Sequence, residues 1–149
     1  MRSVALAMLL GLSSAAVAQE TLPPRPGAPG HKSPRREPGY VTYVGFQKMG
    51  DAPRVFVRVS SSVTPAQAVA GHEVVVTLPG FKLDMANNGR PLDTRWFGTS
   101  VARVDATEVA DRGVELHVTF ADGATPHEGR VSTEPAAEPD VGQYVYLDF

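Results

Sequence analysis

The chain of 149 residues carries 14 Lys+Arg against 16 Asp+Glu and no cysteine, which excludes disulfide staples, thiol nucleophiles, Cys-based metal centres and a lipid-attachment cysteine. Residues 40–149 hold nine basic and fourteen acidic side chains, a net of −5, so they lack the basic face that phosphate backbones require, and no nucleic-acid partner is expected. The length suits one ordinary domain that closes its own core.

Residues 1–18 read as a cleavable signal peptide. Arg2 supplies the positive start, Val4 to Leu12 the apolar run, and Ser13 to Ala18 the small-residue cleavage stretch, which places the cut between Ala18 and Gln19. The product is expected in the periplasm or outside the cell. The apolar run is shorter than the roughly 20 residues a spanning helix needs, and no later segment approaches that length, so no transmembrane segment is expected in the mature chain. Residues 19–39 follow as a basic Pro-rich linker with six prolines, three glycines and one large apolar residue, Leu22, too little to bury itself. Its cluster Lys32 to Arg36 is either a solvated charge run or a contact for an anionic polymer.

From Tyr40 the apolar period is two. Val55, Val57 and Val59 alternate with Arg54, Phe56 and Arg58, and Val114, Leu116, Val118 and Phe120 alternate with Glu115, His117 and Thr119. Val74 to Leu78 and Tyr144 to Phe149 give two more strands rich in β-branched or aromatic residues. The stretch Val41 to Val57 is echoed about sixty residues later by Val101 to Leu116. Each copy reads as a first strand (Val41 to Met49; Val101 to Val109), a turn with Gly and Asp, an alternating second strand, a weaker third (Gln67 to Ala70; Gly129 to Thr133) and a last strand. The expected fold class is therefore all-β, two four-stranded sheets packed as a sandwich from two pseudo-symmetric four-strand units. Its buried set is Val55, Val57, Val76, Leu78, Val114, Leu116, Val118, Val145 and Leu147, with Phe149 facing inward beside Leu147.

Arg-Val-Phe-Val-Arg-Val after an Asp-containing turn, Val-Thr-Leu-Pro-Gly-Phe-Lys-Leu closing an apolar strand, and Thr-Ser-Val-Ala-Arg-Val opening a second round together resemble the AMIN domain. That domain stands at the front of periplasmic N-acetylmuramoyl-L-alanine amidases and type IV pilus secretins. The resemblance covers residues 40–149 and implies a two-sheet β fold that binds or localises at the cell wall without enzymatic activity.

No catalytic constellation is legible. His31, His72, His117 and His127 show no paired ligand spacing, leaving only a distant grouping such as His117 with His127 and Glu128. There is no Gly-x-Ser-x-Gly elbow, and no carboxylate pair is singled out. Neither an enzyme nor a cofactor or metal is expected.

Specificity is expected in Asp84 to Phe97, which joins the two copies. Asn88-Gly89 is a turn signal because both residues accept positive φ. Arg90 and Arg95 offer forked donors for a carboxylate such as an acidic peptide stem or a muramyl lactyl group. Trp96, the only tryptophan, serves either the core or a sugar ring. The candidate ligand residues are thus Arg90, Arg95, Trp96 and Asn88, with Arg54 and Arg58 on a sheet face carrying Phe56 as a second site. Three function classes follow: a peptidoglycan-binding domain anchoring a wall-associated assembly, a subunit docking by a sheet edge onto a secretin or cell-wall hydrolase, and, from the ending Tyr-Val-Tyr-Leu-Asp-Phe, a small outer-membrane β-barrel.

Overall fold

The computed structural model describes residues 39–138 and 141–149; the signal segment 1–18 and the linker residues 19–38 lie outside them. The described residues form ten β-strands and no α-helix: β1 (Gly39–Met49), β2 (Ala52–Val59), β3 (Ala66–Ala70), β4 (Glu73–Leu78), β5 (Phe81–Leu83), β6 (Leu92–Asp93), β7 (Val101–Val109), β8 (Gly113–Phe120), β9 (Arg130–Pro135) and β10 (Gln143–Asp148). Two 3-10 turns, Ala86–Gly89 and Arg95–Phe97, flank β6.

The strands make two sheets, ordered β5-β1-β2-β10-β9 and β3-β4-β8-β7-β6. At the middle of the first, β2 pairs antiparallel with β10, Val57 opposite Val145; at the middle of the second, β4 pairs antiparallel with β8, Val76 opposite Leu116. Each sheet therefore joins a hairpin from the first half of the chain to one from the second.

The eight expected strands are all present, but each sheet has five strands rather than four. The additions are β5, parallel to the start of β1 with Phe81 opposite Gly39, and β6, antiparallel to β7 with Leu92 opposite Val104. They span three and two residues, too few for alternation to register in a sequence.

Alternation sends one face of each sheet into a shared core, giving a β-sandwich. All nine side chains expected inside have no solvent exposure, and Val41, Val59, Val74, Val101 and Val104 join them at the same value. Each such side chain stabilises the fold by roughly 1.5–3 kcal/mol. Phe120 and Phe149 meet edge-on at 5.6 Å, and Phe149, expected inward with Leu147, is half-buried at the margin of the core. The apolar side chains of both sheets face each other, whereas a membrane barrel turns its apolar band outward.

Candidate functional site

Because Val55, Val57, Val145 and Leu147 point inward, Phe56, Tyr144 and Tyr146 point outward, and Tyr43 joins them from β1. Pairing aligns these residues in rows across β1, β2, β10 and β9. Tyr43, Arg58, Tyr144 and Glu134 form one row, Gly45, Phe56, Tyr146 and Ser132 the next, and Gln47, Arg54, Asp148 and Arg130 the third. The Phe56 ring centroid lies 5.7 Å from that of Tyr43, 6.4 Å from Tyr144 and 6.1 Å from Tyr146. Tyr144 and Tyr146 stack at 6.0 Å with planes 18° apart. The outcome is a low aromatic platform edged by charge.

The charges hold that platform in place. Arg54 donates to both carboxylate oxygens of Asp148, at 2.6 and 3.0 Å, and its guanidinium carbon stands 4.9 Å from the Tyr146 ring centroid. The hydrogen bond raises the Arg54 pKa and holds Asp148 below the ordinary carboxylate range. Partial burial, then the Glu134 carboxylate, pushes the Tyr146 phenol up, so its hydroxyl stays protonated and donates to Glu134 at 3.3 Å. Arg54 thus serves as a brace, with its fork already occupied. Arg58 sits in the row between Tyr43 and Tyr144.

The segment from Asp84 to Phe97 runs beside β1 and divides its functional groups. Asn88 and Gly89 close a 3-10 turn, and neither takes the positive φ expected of them, because hydrogen bonds shape this turn: Asn88 N–H donates to the Met85 carbonyl and Asn88 Nδ2 to the Val41 carbonyl, at 3.0 and 3.1 Å. Asn88 and Arg90 line a cleft of about 360 Å³ with Tyr43. Arg95 lies elsewhere, on a cleft with Ala102 and Arg103, and grips Asp93 through two bonds of 2.9 and 2.6 Å. That grip lowers the Asp93 pKa to about 2. Trp96 is 87% exposed and is therefore no core residue.

The six residues singled out in the sequence therefore fall in three places: Arg54 and Arg58 on the aromatic face, Asn88 and Arg90 in the cleft beside Tyr43, Arg95 and Trp96 beyond it. The tyrosines were missed as site residues although the alternation already set Tyr144 and Tyr146 opposite in phase to Val145 and Leu147. On the outer face of the second sheet His117 Nδ1 lies 3.1 Å from Glu73 Oε1, whereas His127 packs edge-on against the core ring of Phe120 at 5.6 Å. Among the described residues no cluster of three metal-ligating side chains occurs, and no helix is long and apolar enough to cross a membrane.

No family model matches this chain, and no curated protein matches it.

Proposed function

We propose that residues 40–149 are an AMIN-type domain which, once exported to the periplasm, binds the glycan of the cell wall on the outer face of the first sheet. It acts without catalysis or cofactor and serves to hold an envelope assembly at the wall. The observation that carries this reading is the platform of Tyr43, Phe56, Tyr144 and Tyr146, whose ring centroids follow one another at 5.7–6.4 Å. Aromatic faces receive the apolar side of a sugar ring while tyrosine hydroxyls meet its polar edge. Arg58, in the same row as Tyr43 and Tyr144, adds positive charge beside the rings on the face where a lactyl or stem-peptide carboxylate would lie.

The strand order supports the pseudo-symmetric reading. Taken as two units, β1 to β4 and β7 to β10, the strands enter the sheets in matching order: first and second strands of one unit, then fourth and third of the other, as β1-β2-β10-β9 and β7-β8-β4-β3. On this reading β5 and β6 are edge additions to two equivalent four-stranded sheets.

The test is co-sedimentation with insoluble wall sacculi. The wild-type chain is expected in the pellet, and the Tyr144→Ala/Tyr146→Ala variant, folded by circular dichroism, in the supernatant. A wild type that stays in the supernatant, or a variant that pellets equally well, overturns the reading.

A further inference from the structure

The two flanks of β1 are unequal. One pairs with β2 along the strand, while the other pairs with β5 over Gly39–Val41 alone. Pro53 reveals which backbone groups face the open flank. It lies opposite Lys48, yet its carbonyl accepts from Phe149 N–H at 3.1 Å, on the side away from β1. In an antiparallel ladder the backbone groups of successive residues alternate between flanks and those of a facing pair share a sense, inward or outward. Lys48 therefore turns its N–H and C=O away from β2, and by the same alternation so do Phe46 and Val44.

Across from this flank runs the segment Asn87 to Phe97, leaving two adjoining clefts of about 360 and 340 Å³ that share Tyr43, Val44, Pro91 and Leu92. The floor is apolar: Val44, Phe46 and Leu92 pack against the core, and the Phe46 and Phe97 rings lie 5.1 Å apart. Lys48 Nζ donates to the Phe97 carbonyl at 3.1 Å and closes one end. At the other end Arg90 is exposed and, among the described residues, meets no carboxylate, in contrast to Arg54 and Arg95.

We infer that this groove receives an extended acidic segment of a partner protein as an added strand beside β1. Unpaired donors and acceptors at Val44, Phe46 and Lys48 select extended backbone, the apolar floor selects alternate apolar side chains, and Arg90 selects a carboxylate at one end. The opposite edge of the same sheet is poorly suited: β9 is exposed throughout and carries Arg130, Glu134 and Pro135. The chain's own residues 19–38 are a poor occupant, since they are basic and hold six prolines that cannot donate to a ladder. This surface adjoins the aromatic face at Tyr43, which lines the groove and also stacks on Phe56.

Fluorescence anisotropy on the exported chain tests it, using short labelled peptides of alternating Val and Thr that end in paired glutamates. The expected results are saturable binding below about 1 mM, loss of binding when alternate peptide nitrogens of the probe are methylated, and about tenfold weakening by Arg90→Glu. Bound probe should also slow hydrogen exchange at the Val44, Phe46 and Lys48 amides. Absence of binding, equal binding by the methylated or a lysine-ended probe, or an unchanged affinity of folded Arg90→Glu overturns the inference. Slowed exchange at those amides on concentrating the protein alone assigns the flank to a second copy, and displacement of the probe by a peptide of residues 19–38 assigns it to the chain itself; either result also overturns it. No wall material enters the experiment, so its outcome is independent of wall binding.

Discussion

The ring of Phe56 occupies the space that a side chain at residue 45 would fill: a Cβ built on Gly45 would stand 2.8 Å from Phe56 Cε1 and 2.8 Å from Tyr43 Cε1. The two residues are direct cross-strand partners, so the glycine is what lets the aromatic platform lie flat on the sheet.

Gly45→Ala is therefore expected to force Phe56 and Tyr43 apart. The cost in stability should be about 1–3 kcal/mol, the usual range for overpacking, read from a denaturant midpoint. Sacculus binding should fall further than that loss of folded protein explains, because the platform itself is disrupted.

The Arg54–Asp148 pair gives a pH dependence with a definite sign. Asp148 has a folded pKa below its ordinary value of 3.8, with the Arg54 hydrogen bond as the main cause. A depressed carboxylate contributes stability that is present above the unfolded pKa and lost as pH falls through the folded one. Stability read by chemical denaturation should thus fall below about pH 4, and Asp148→Asn should flatten that part of the profile. In a double-mutant cycle with Arg54→Met the coupling is expected at roughly 1–2 kcal/mol, as for a hydrogen-bonded charge pair with some solvent access.

Arg95→Ala releases Asp93. Its titration, followed by carboxyl carbon NMR, should rise from about 2 toward the ordinary 3.8, with little change in melting temperature because the pair is exposed. Trp96→Ala should likewise stay within about 0.5 kcal/mol of wild type, since at 87% exposure the indole packs against little. A melting temperature lowered by many degrees would return Trp96 to the core.

A stop after Gln143 removes an interior strand. Because β10 lies between β2 and β9, the truncation deletes fully buried Val145 and Leu147 and leaves β9 without its partner. With roughly 1.5–3 kcal/mol lost per buried side chain against a total of about 5–15, no cooperative melting transition should remain.

Strands β2, β4, β8 and β10 were legible because one face of each is continuously apolar: Val55-x-Val57-x-Val59 announces both a strand and its inner side. What alternation cannot carry is which strand lies beside which, and the candidate site depends on that. Phe56 and Tyr146 are 90 positions apart in the chain and become neighbours only through the β2–β10 register. The segment from Asp84 to Phe97 was legible as rich in polar groups, yet Asp93 was not identifiable as the partner that occupies Arg95. Asn88-Gly89 marked a turn correctly, but its 3-10 form is set by the Val41 carbonyl, a contact 47 residues distant.

The interleaving of the two halves bears on how the molecule is made. The first sheet needs β10 beside β2, so a chain emerging N-terminus first holds β1 and β2 without that partner until residues 143–148 have been released. Folding must then close loops of many tens of residues before the central pairings form, which is the slow, high-contact-order regime. Until β10 is in place, the hairpins of the first half are exposed to proteases and to one another. Two such chains meeting early would also be able to exchange halves, each completing the other's sheets.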